Sequence, residues 1–292
     1  LPEDTEVVVY SSAIPPSNPE FILAQEKRRL ILKRGELLAE LMREKKGIAV
    51  SGSHGKTTTT SMITLLLTKA GFSPTFVIGG EVGDFGGNAG LGKGEYFVAE
   101  TDESDGSFLL LPHTFAVITN IDREHMDYYG SMEKVEKAYL DFAKHIKTGG
   151  SLFACIDDAG VRKLLEDYRG ESITYGIDSE ADLNARDINM EYSDSKFDCY
   201  YKGERLGEVS LHVPGRHNVC NSLAAIGLGL KLNIDFAVIR ESLAGYHGAQ
   251  RRFQMKGLVN DIMVIDDYAH HPSEIKATLS ACRNWKERRL IG

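Results

Sequence analysis

Lys56 lies in the stretch AVSGSHGKTTTT, residues 49–60. A Gly-Lys-Thr triplet brings together three parts of a phosphate-binding loop. The usual pattern is G-x-x-x-x-G-K-[ST], and its first glycine would fall at position 50, which is Val50. The loop is therefore shorter, G-x-x-G-K-T-T, with its glycines at Gly52 and Gly55. Missing side chains there let backbone amides approach a phosphate closely. Lys56 supplies a charge able to reach the β- and γ-phosphates, and Thr57 supplies a hydroxyl where Mg2+ would sit. Helix capping accounts for Ser53 or Thr57 alone. It does not account for Gly-Lys-Thr between an apolar strand and a helix, where an anion binds. Phosphate binding, with ATP as the expected ligand, is the reading of Gly52, Ser53, His54, Gly55, Lys56, Thr57 and Thr58.

Further residues become informative beside that loop. ETDESDGSF, residues 100–108, holds Glu100, Asp102, Glu103 and Asp105. Alone it reads equally well as a solvated acidic turn. At the carboxyl end of a strand, facing a phosphate loop, such acids would hold Mg2+. TNIDREHMD, residues 119–127, offers His125 and Asp127. A lone histidine is more often packed or on the surface, but at this sheet edge it becomes a second metal ligand or a substrate contact. In GRHNVCN, Asn218 and Asn221 share one helical face and could cap the helix or address a nucleotide. Arg251 and Arg252 suit phosphate charge. Asp267, Tyr268, His270 and His271 precede Pro272, a residue suited to an early helix position. The two adjacent histidines lack a third ligand at zinc-type spacing.

The elements that must position these residues follow from periodicity. Strands are expected at 5–10, 47–52, 75–80, 95–101, 115–121, 151–156, 172–177 and 262–270. Helices are expected at 19–46 with Gly35 as a break, and at 56–70, 132–147, 158–168, 215–232, 234–244 and 272–286. Alternation of strand and helix from about 47 to 176 predicts an α/β fold. Its centre is a P-loop-type, mostly parallel sheet with helices on both faces. Residues 180–213 carry short alternating pieces and glycine turns, which predict a small antiparallel sheet. Residues 246–253 read as a loop at a domain junction.

The 292 residues suit more than one domain. A 42% hydrophobic and 26% charged composition is that of an ordinary globular protein. Net charge −8 argues against nucleic acid as the main partner. Cys155, Cys199, Cys220 and Cys282 are widely spaced and read as reduced thiols. No apolar run reaches membrane-helix length, so no membrane partner is expected and the cytoplasm is the default location. The chain opens on Leu1 and closes on RRLIG, each inside an apparent strand, so flanking segments are expected beyond both ends.

Taken in order, GSHGKTTTTSM, ETDESDGSF, TNIDREHMDYYG, PGRHNVCNSLAA, GAQRRF and DDYAHHPSEI resemble the ATP-dependent Mur ligases of peptidoglycan synthesis. They spread over residues 47–275. His54, where relatives usually carry Asn, is similar to the branch that joins L-alanine to UDP-N-acetylmuramate. A tripeptide-recycling branch shares the loop and HHP, but DESDGSF and HMDYY are not expected in it. The resemblance implies three domains: 1–44 as the tail of a Rossmann-like sugar-nucleotide domain, 45–246 as the central ATP-binding domain, and 247–292 as the start of an α/β C-terminal ligase domain.

It also implies a mechanism. The lactyl carboxylate of UDP-N-acetylmuramate takes the γ-phosphoryl group of ATP, and the amine of L-alanine displaces phosphate. Lys56 would neutralise the γ-phosphoryl group, Thr57 and Glu103 would hold one Mg2+, and Glu103 and His125 a second. Asn218 and Asn221 match the nucleotide-contacting pair. Arg252 and Asp267 match positions addressing phosphate and ribose, with Tyr268 near the nucleotide and His270 near the amino acid. The general base stays open between His125 and His270. A nucleotide-binding regulator without ligase chemistry is the alternative of another class. Oligomeric state is not legible.

Overall fold

A computed structural model describes residues 1–191, 194–283 and 289–292. The chain starts with β1 (Val7–Tyr10), α1 (Pro19–Glu26), β2 (Leu30–Lys33) and α2 (Arg34–Met42). The central unit opens with β3 (Lys46–Ser51), α3 (Lys56–Lys69), β4 (Thr75–Val82), β5 (Gly87–Gly90), β6 (Tyr96–Glu100) and β7 (His113–Ile118). It continues through α4 (Met126–Tyr129), α5 (Met132–Lys144), β8 (Ser151–Cys155), α6 (Ala159–Asp167) and β9 (Ser172–Gly176). Then come β10 (Leu183–Glu191), β11 (Asp194–Tyr201), β12 (Glu204–Leu211), α7 (Arg216–Lys231) and α8 (Phe236–Ala244). The last elements are β13 (Gln254–Val259), β14 (Ile262–Asp266) and α9 (Pro272–Arg283).

Ten strands form one sheet in the order β12-β11-β10-β9-β8-β7-β3-β6-β4-β5. Pairing is parallel from β10 to β4 and antiparallel at both edges. The central parallel strands β3, β6, β7 and β8 are almost wholly buried and mostly apolar because both faces are covered. Alternate residues go to opposite layers. Ile48, Val50, Phe115, Val117 and Phe153 join the core under α3, α7 and α8. Ala49, Ala116, Ile118, Leu152 and Ala154 join the core under α2, α5 and α6. The Thr-rich α3 tolerates burial because its hydroxyls donate to carbonyls one turn back, Thr60 to Lys56, Ser61 to Thr57 and Thr64 to Thr60.

The expected α/β class is the observed one, with differences in detail. The expected helix 19–46 is two helices with β2 between them. Arg28 takes a left-handed φ of 51° and ends α1, and LILK then pairs in parallel with β1. Gly35 is not a break but lies inside α2. A Cβ there would sit 2.5 Å from Ser107 Cβ, so glycine allows close packing. The antiparallel strands of 183–211 extend the main sheet instead of standing apart, and a separate two-stranded pair is made by β13 and β14. β5, α4 and β13 were not legible in the periodicity. The strand expected at 262–270 ends at Asp266, because Asp267 turns to accept the backbone N–H groups of Phe253 and Ala269. Residues 284–286 of the last expected helix lie outside the described residues.

β3 sits between β6 and β7, so the chain leaves it toward one side of the sheet and returns on the other. Ligands bind at such a switch point, beyond the carboxyl ends of the strands. In register, Val50 is level with Glu100, and Ser51 with Ile118. Three loops therefore emerge together: 52–55, 101–106 and 119–125.

Candidate functional site

The 52–55 loop is shaped by its glycines and by the end of β7. Gly52 has φ 134°, and a Cβ there would lie 2.0 Å from Thr119 Oγ1. Gly55 has φ 82°, and a Cβ would lie 2.6 Å from Asn221 Oδ1. Both conformations favour glycine. Thr119 Oγ1 and Asn120 Nδ2 donate to the His54 carbonyl at 2.6 and 3.0 Å, and His54 N–H donates to Asn120 Oδ1 at 2.8 Å. Ser53 Oγ accepts the Asp122 N–H at 2.8 Å. The loop ends at α3, whose first residue is Lys56. First-turn amides of this helix have no helical partner and form an anion-binding terminus.

Lys56 Nζ donates to Gly52 O at 2.6 Å and Glu103 Oε1 at 2.7 Å. Thr57 Oγ1 donates to Glu100 Oε1 at 3.0 Å, whereas Glu103, expected to share a Mg2+ with Thr57, pairs with Lys56. The reason is the register: Glu100, the last residue of β6, stands beside β3, whereas Glu103 lies three residues further along the loop and reaches Lys56. Burial raises the Glu100 pKa, opposed by hydrogen bonds from the Gly79 N–H and Thr57. Tyr129 donates to the Glu103 carbonyl at 2.5 Å and fixes that turn.

His125 Nε2 lies 3.7 Å from Glu103 Oε1. The Glu103 carboxylate beside it raises the His125 pKa. The residue has a left-handed φ of 53° and precedes α4, which aims the ring back across the sheet edge. Glu103, Glu124 and His125 offer ligand atoms within 4.8 Å of one another. Glu103 Oε2 is buried and, among the described residues, meets no hydrogen-bond donor. A buried, unpartnered carboxylate oxygen fits a hard divalent cation, so this donor set suits Mg2+. Thr57 with Glu100 is a second oxygen pair suited to the same ion. Asp127 is exposed and outside both groups.

A cavity of about 240 Å³ adjoins the loop. His54, Gly55, Thr57 and Thr58 line one side, and Asn218, Asn221, Arg252 and Asp267 line the others. Asn218 Nδ2 donates to Pro214 O at 2.7 Å, which fixes the carboxamide at the start of α7. Arg252 NH1 lies 3.5 Å from Glu274 Oε1. Tyr268 and His270 lie outside the cavity. Tyr268 stacks beneath the Arg251 guanidinium, 4.7 Å from ring centre to Cζ, and the His270 side chain is 70% exposed. Its neighbour His271 faces inward, its ring 4.8 Å from that of His54.

Sequence reasoning missed Asn120, Asp122, Glu124, Ser273 and Glu274 as site residues. Their signal lay inside the quoted motifs: TNIDREH and HHPSE carry polar side chains next to those singled out. His54 also proves more than a family marker. Burial lowers its pKa, but hydrogen bonds to Glu274 and Asp122 outweigh this and raise it. The Glu274 pKa, raised by burial, is carried down to about 2 chiefly by His54.

Comparison with known proteins bears on this geometry. Residues 50–229 match the Mur ligase middle domain, and residues 251–292 match the Mur ligase glutamate ligase domain. The chain belongs to the Mur ligase family. It is 48% identical to a UDP-N-acetylmuramate–L-alanine ligase of Geobacter sulfurreducens over 290 residues, 99% of this chain and 63% of that protein. Identity to the enzyme of the same name from Pelotomaculum thermopropionicum is 50%, with the same coverage. The fold superposes on the crystal structure of UDP-N-acetylmuramate–alanine ligase from Thermotoga maritima with a TM-score of 0.87 and 31% identity. The match covers 98% of this chain and 65% of that one. A murein peptide ligase from Psychrobacter arcticus shares the fold at a TM-score of 0.76 and 24% identity, over 97% and 64% of the two chains. This Mur ligase chain thus spans about 63% of the length of the curated relatives it matches.

Proposed function

We propose that the protein carrying this chain joins L-alanine to the lactyl carboxylate of UDP-N-acetylmuramate, with ATP as phosphoryl donor, in peptidoglycan precursor synthesis. The observation that carries the reading is one convergence. The Gly52–Thr57 loop, Glu100, and the Glu103–Glu124–His125 cluster meet at the carboxyl ends of β3, β6 and β7. Identities of 46–50% over nearly the whole chain to alanine-adding ligases favour this substrate pair. Residues 1–44, 45–246 and 247–292 then correspond to the end of a sugar-nucleotide domain, the ATP-binding domain and the start of the C-terminal domain.

Phosphoryl transfer needs positioning and charge neutralisation more than covalent chemistry. The first-turn amides of α3 receive the polyphosphate. Lys56 exchanges its contacts with Gly52 O and Glu103 for the γ-phosphoryl oxygens. Mg2+, held by Thr57 with Glu100 and by Glu103 with Glu124 and His125, would supply further charge neutralisation. Asn218 and Asn221 orient the nucleotide from the start of α7, while Arg252 and Asp267 approach it from the C-terminal segment. Attack of the carboxylate on the γ-phosphorus then gives an acyl phosphate and ADP. The amine displaces phosphate from that acyl group, and the departing phosphate or solvent takes up its proton.

Among the described residues, no helix is long and apolar enough to cross a membrane. Action in the cytoplasm on small-molecule substrates, without nucleic acid, accords with that and with the −8 charge. The test is ADP release. It should require UDP-N-acetylmuramate and L-alanine together. Dependence on a tripeptide in place of alanine would assign the recycling reaction, and nucleotide binding without acceptor-dependent turnover would assign a regulator.

A further inference from the structure

A second cluster joins the phosphate loop to the C-terminal segment. His54 Nε2 lies 3.2 Å from Asp122 Oδ2, and His271 Nδ1 lies 3.6 Å from the same oxygen. One ligand atom from each of the three residues falls within 4.8 Å of the others. A tetrahedral Zn2+ with bonds of ~2.0–2.2 Å holds its donors roughly 3.3–3.6 Å apart. Both measured edges are close to that spacing.

The surroundings suit a cation. Asp122 Oδ2, Glu124 Oε1 and Glu274 Oε1 lie 3.2, 4.0 and 3.5 Å from His54 ring nitrogens. Arg252, 3.5 Å from Glu274, sets a fixed positive charge against one of these three carboxylates. Glu274 faces His54 Nδ1, opposite the nitrogen that faces Asp122. A carboxylate on the far nitrogen is how a metal-bound imidazole is oriented. The Ser273 N–H donates to His271 Nδ1 from 3.4 Å, a long contact that metal coordination at this nitrogen must displace. The Ser273 hydroxyl donates to Asp122 Oδ2 at 2.7 Å.

We propose that His54, Asp122 and His271 bind a borderline divalent transition ion of the Zn2+ class, leaving a fourth position to solvent. The donors come from the loop after β3, the loop after β7 and the segment leading into α9. Bound metal therefore ties the C-terminal segment to the phosphate loop. An imidazole pair separates this site from the oxygen-rich Mg2+ positions at Thr57, Glu100 and Glu103, because imidazole suits zinc and carboxylate suits magnesium.

Co2+ titration of the 292-residue chain, with excess Mg2+ to fill the oxygen sites, tests the proposal. One equivalent should give the visible absorption of four-coordinate cobalt, and Zn2+ should displace it. His271→Ala should lower affinity at least tenfold, while His270→Ala, altering the exposed neighbour, should leave it unchanged. Zn2+ should raise the melting temperature of the parent chain and not that of His271→Ala. If His271→Ala fails to fold, Asp122→Asn takes its place with the same expectation. Absence of the visible band overturns the proposal, as does unchanged affinity in the ligand variants. A near-ultraviolet thiolate-to-cobalt band also overturns it, since it would assign the metal to Cys155 and Cys220, whose sulfurs lie 3.4 Å apart.

Discussion

Lys56 and Glu103 form a 2.7 Å ion pair inside the phosphate loop, with the Glu103 side chain only 4% exposed and that of Lys56 18%. The lysine therefore serves the fold as well as the ligand. Breaking a buried pair from one side leaves a charge without compensation. Lys56→Ala should lose acceptor-dependent turnover and also cost about 3 kcal/mol of stability. The double variant Lys56→Ala/Glu103→Gln should recover most of the stability and none of the activity. Urea denaturation of the three proteins checks this, and a single variant as stable as the parent would contradict it.

Thr57 is matched with Glu100, and His125 with Glu103, so both glutamates are needed. Glu100→Gln and Glu103→Gln should each lower kcat by about 10²–10³-fold, as removal of a preorganised charge-stabilising group does. Asp127→Asn, altering the exposed acid in the same motif, should change it less than about tenfold by the same comparison. Steady-state ADP release separates the three. Equal effects from all of them would reduce the two pairings to general acidity.

Gly55→Ala puts a side chain at φ 82° and 2.6 Å from Asn221 Oδ1. The left-handed conformation alone costs about 1–2 kcal/mol, and Asn221 must move. Nucleotide affinity should fall more than stability, because loop and carboxamide shift together. Gly71→Ala has a similar φ with nothing within 4 Å of the added Cβ, so it should cost stability alone. Calorimetric nucleotide titration beside thermal melting distinguishes the two.

His113 is fully buried, and its ring nitrogens lie 2.8 and 3.1 Å from the carbonyls of Leu111 and Phe142. Burial lowers its pKa to about 4, against the pull of those carbonyls. Between pH 6.5 and 4 the unfolded chain binds a proton here that the folded chain refuses. Stability contributed by the neutral ring is complete above pH 6.5 and is lost as pH falls toward 4. The upper bound is about 3 kcal/mol at 1.36 kcal/mol per pKa unit. Melting temperatures from pH 7 to 4.5 should fall more steeply for the parent than for His113→Asn. Parallel curves would rule out this role.

Much of the fold was legible because the parallel strands are buried on both faces. FAVI and LFAC need no partner to be read as strands, although the expected strand 115–121 ends at Ile118, and Gly52-x-x-Gly55-Lys56-Thr57 needs only the flanking strand and helix. Two kinds of detail were not legible. LILK at 30–33 sits in a run of mixed charged and apolar residues that fits a helix equally well, and only pairing with β1 decides it. Gly35 looked like a helix break because its true reason, contact with Ser107, lies 72 positions away in the chain.

By itself the sequence determined the chemistry on offer: a phosphate loop, acids after one strand, a histidine after another, and an amide pair opening a helix. These are local facts, set by residue type and spacing. Tertiary structure decided who faces whom. Thr57 meets Glu100 across 43 residues because β6 lies beside β3, and His271, not His270, meets His54 because α9 packs against the loop. Strand order and helix docking arise from burial of the whole core. No spacing within a single motif encodes them.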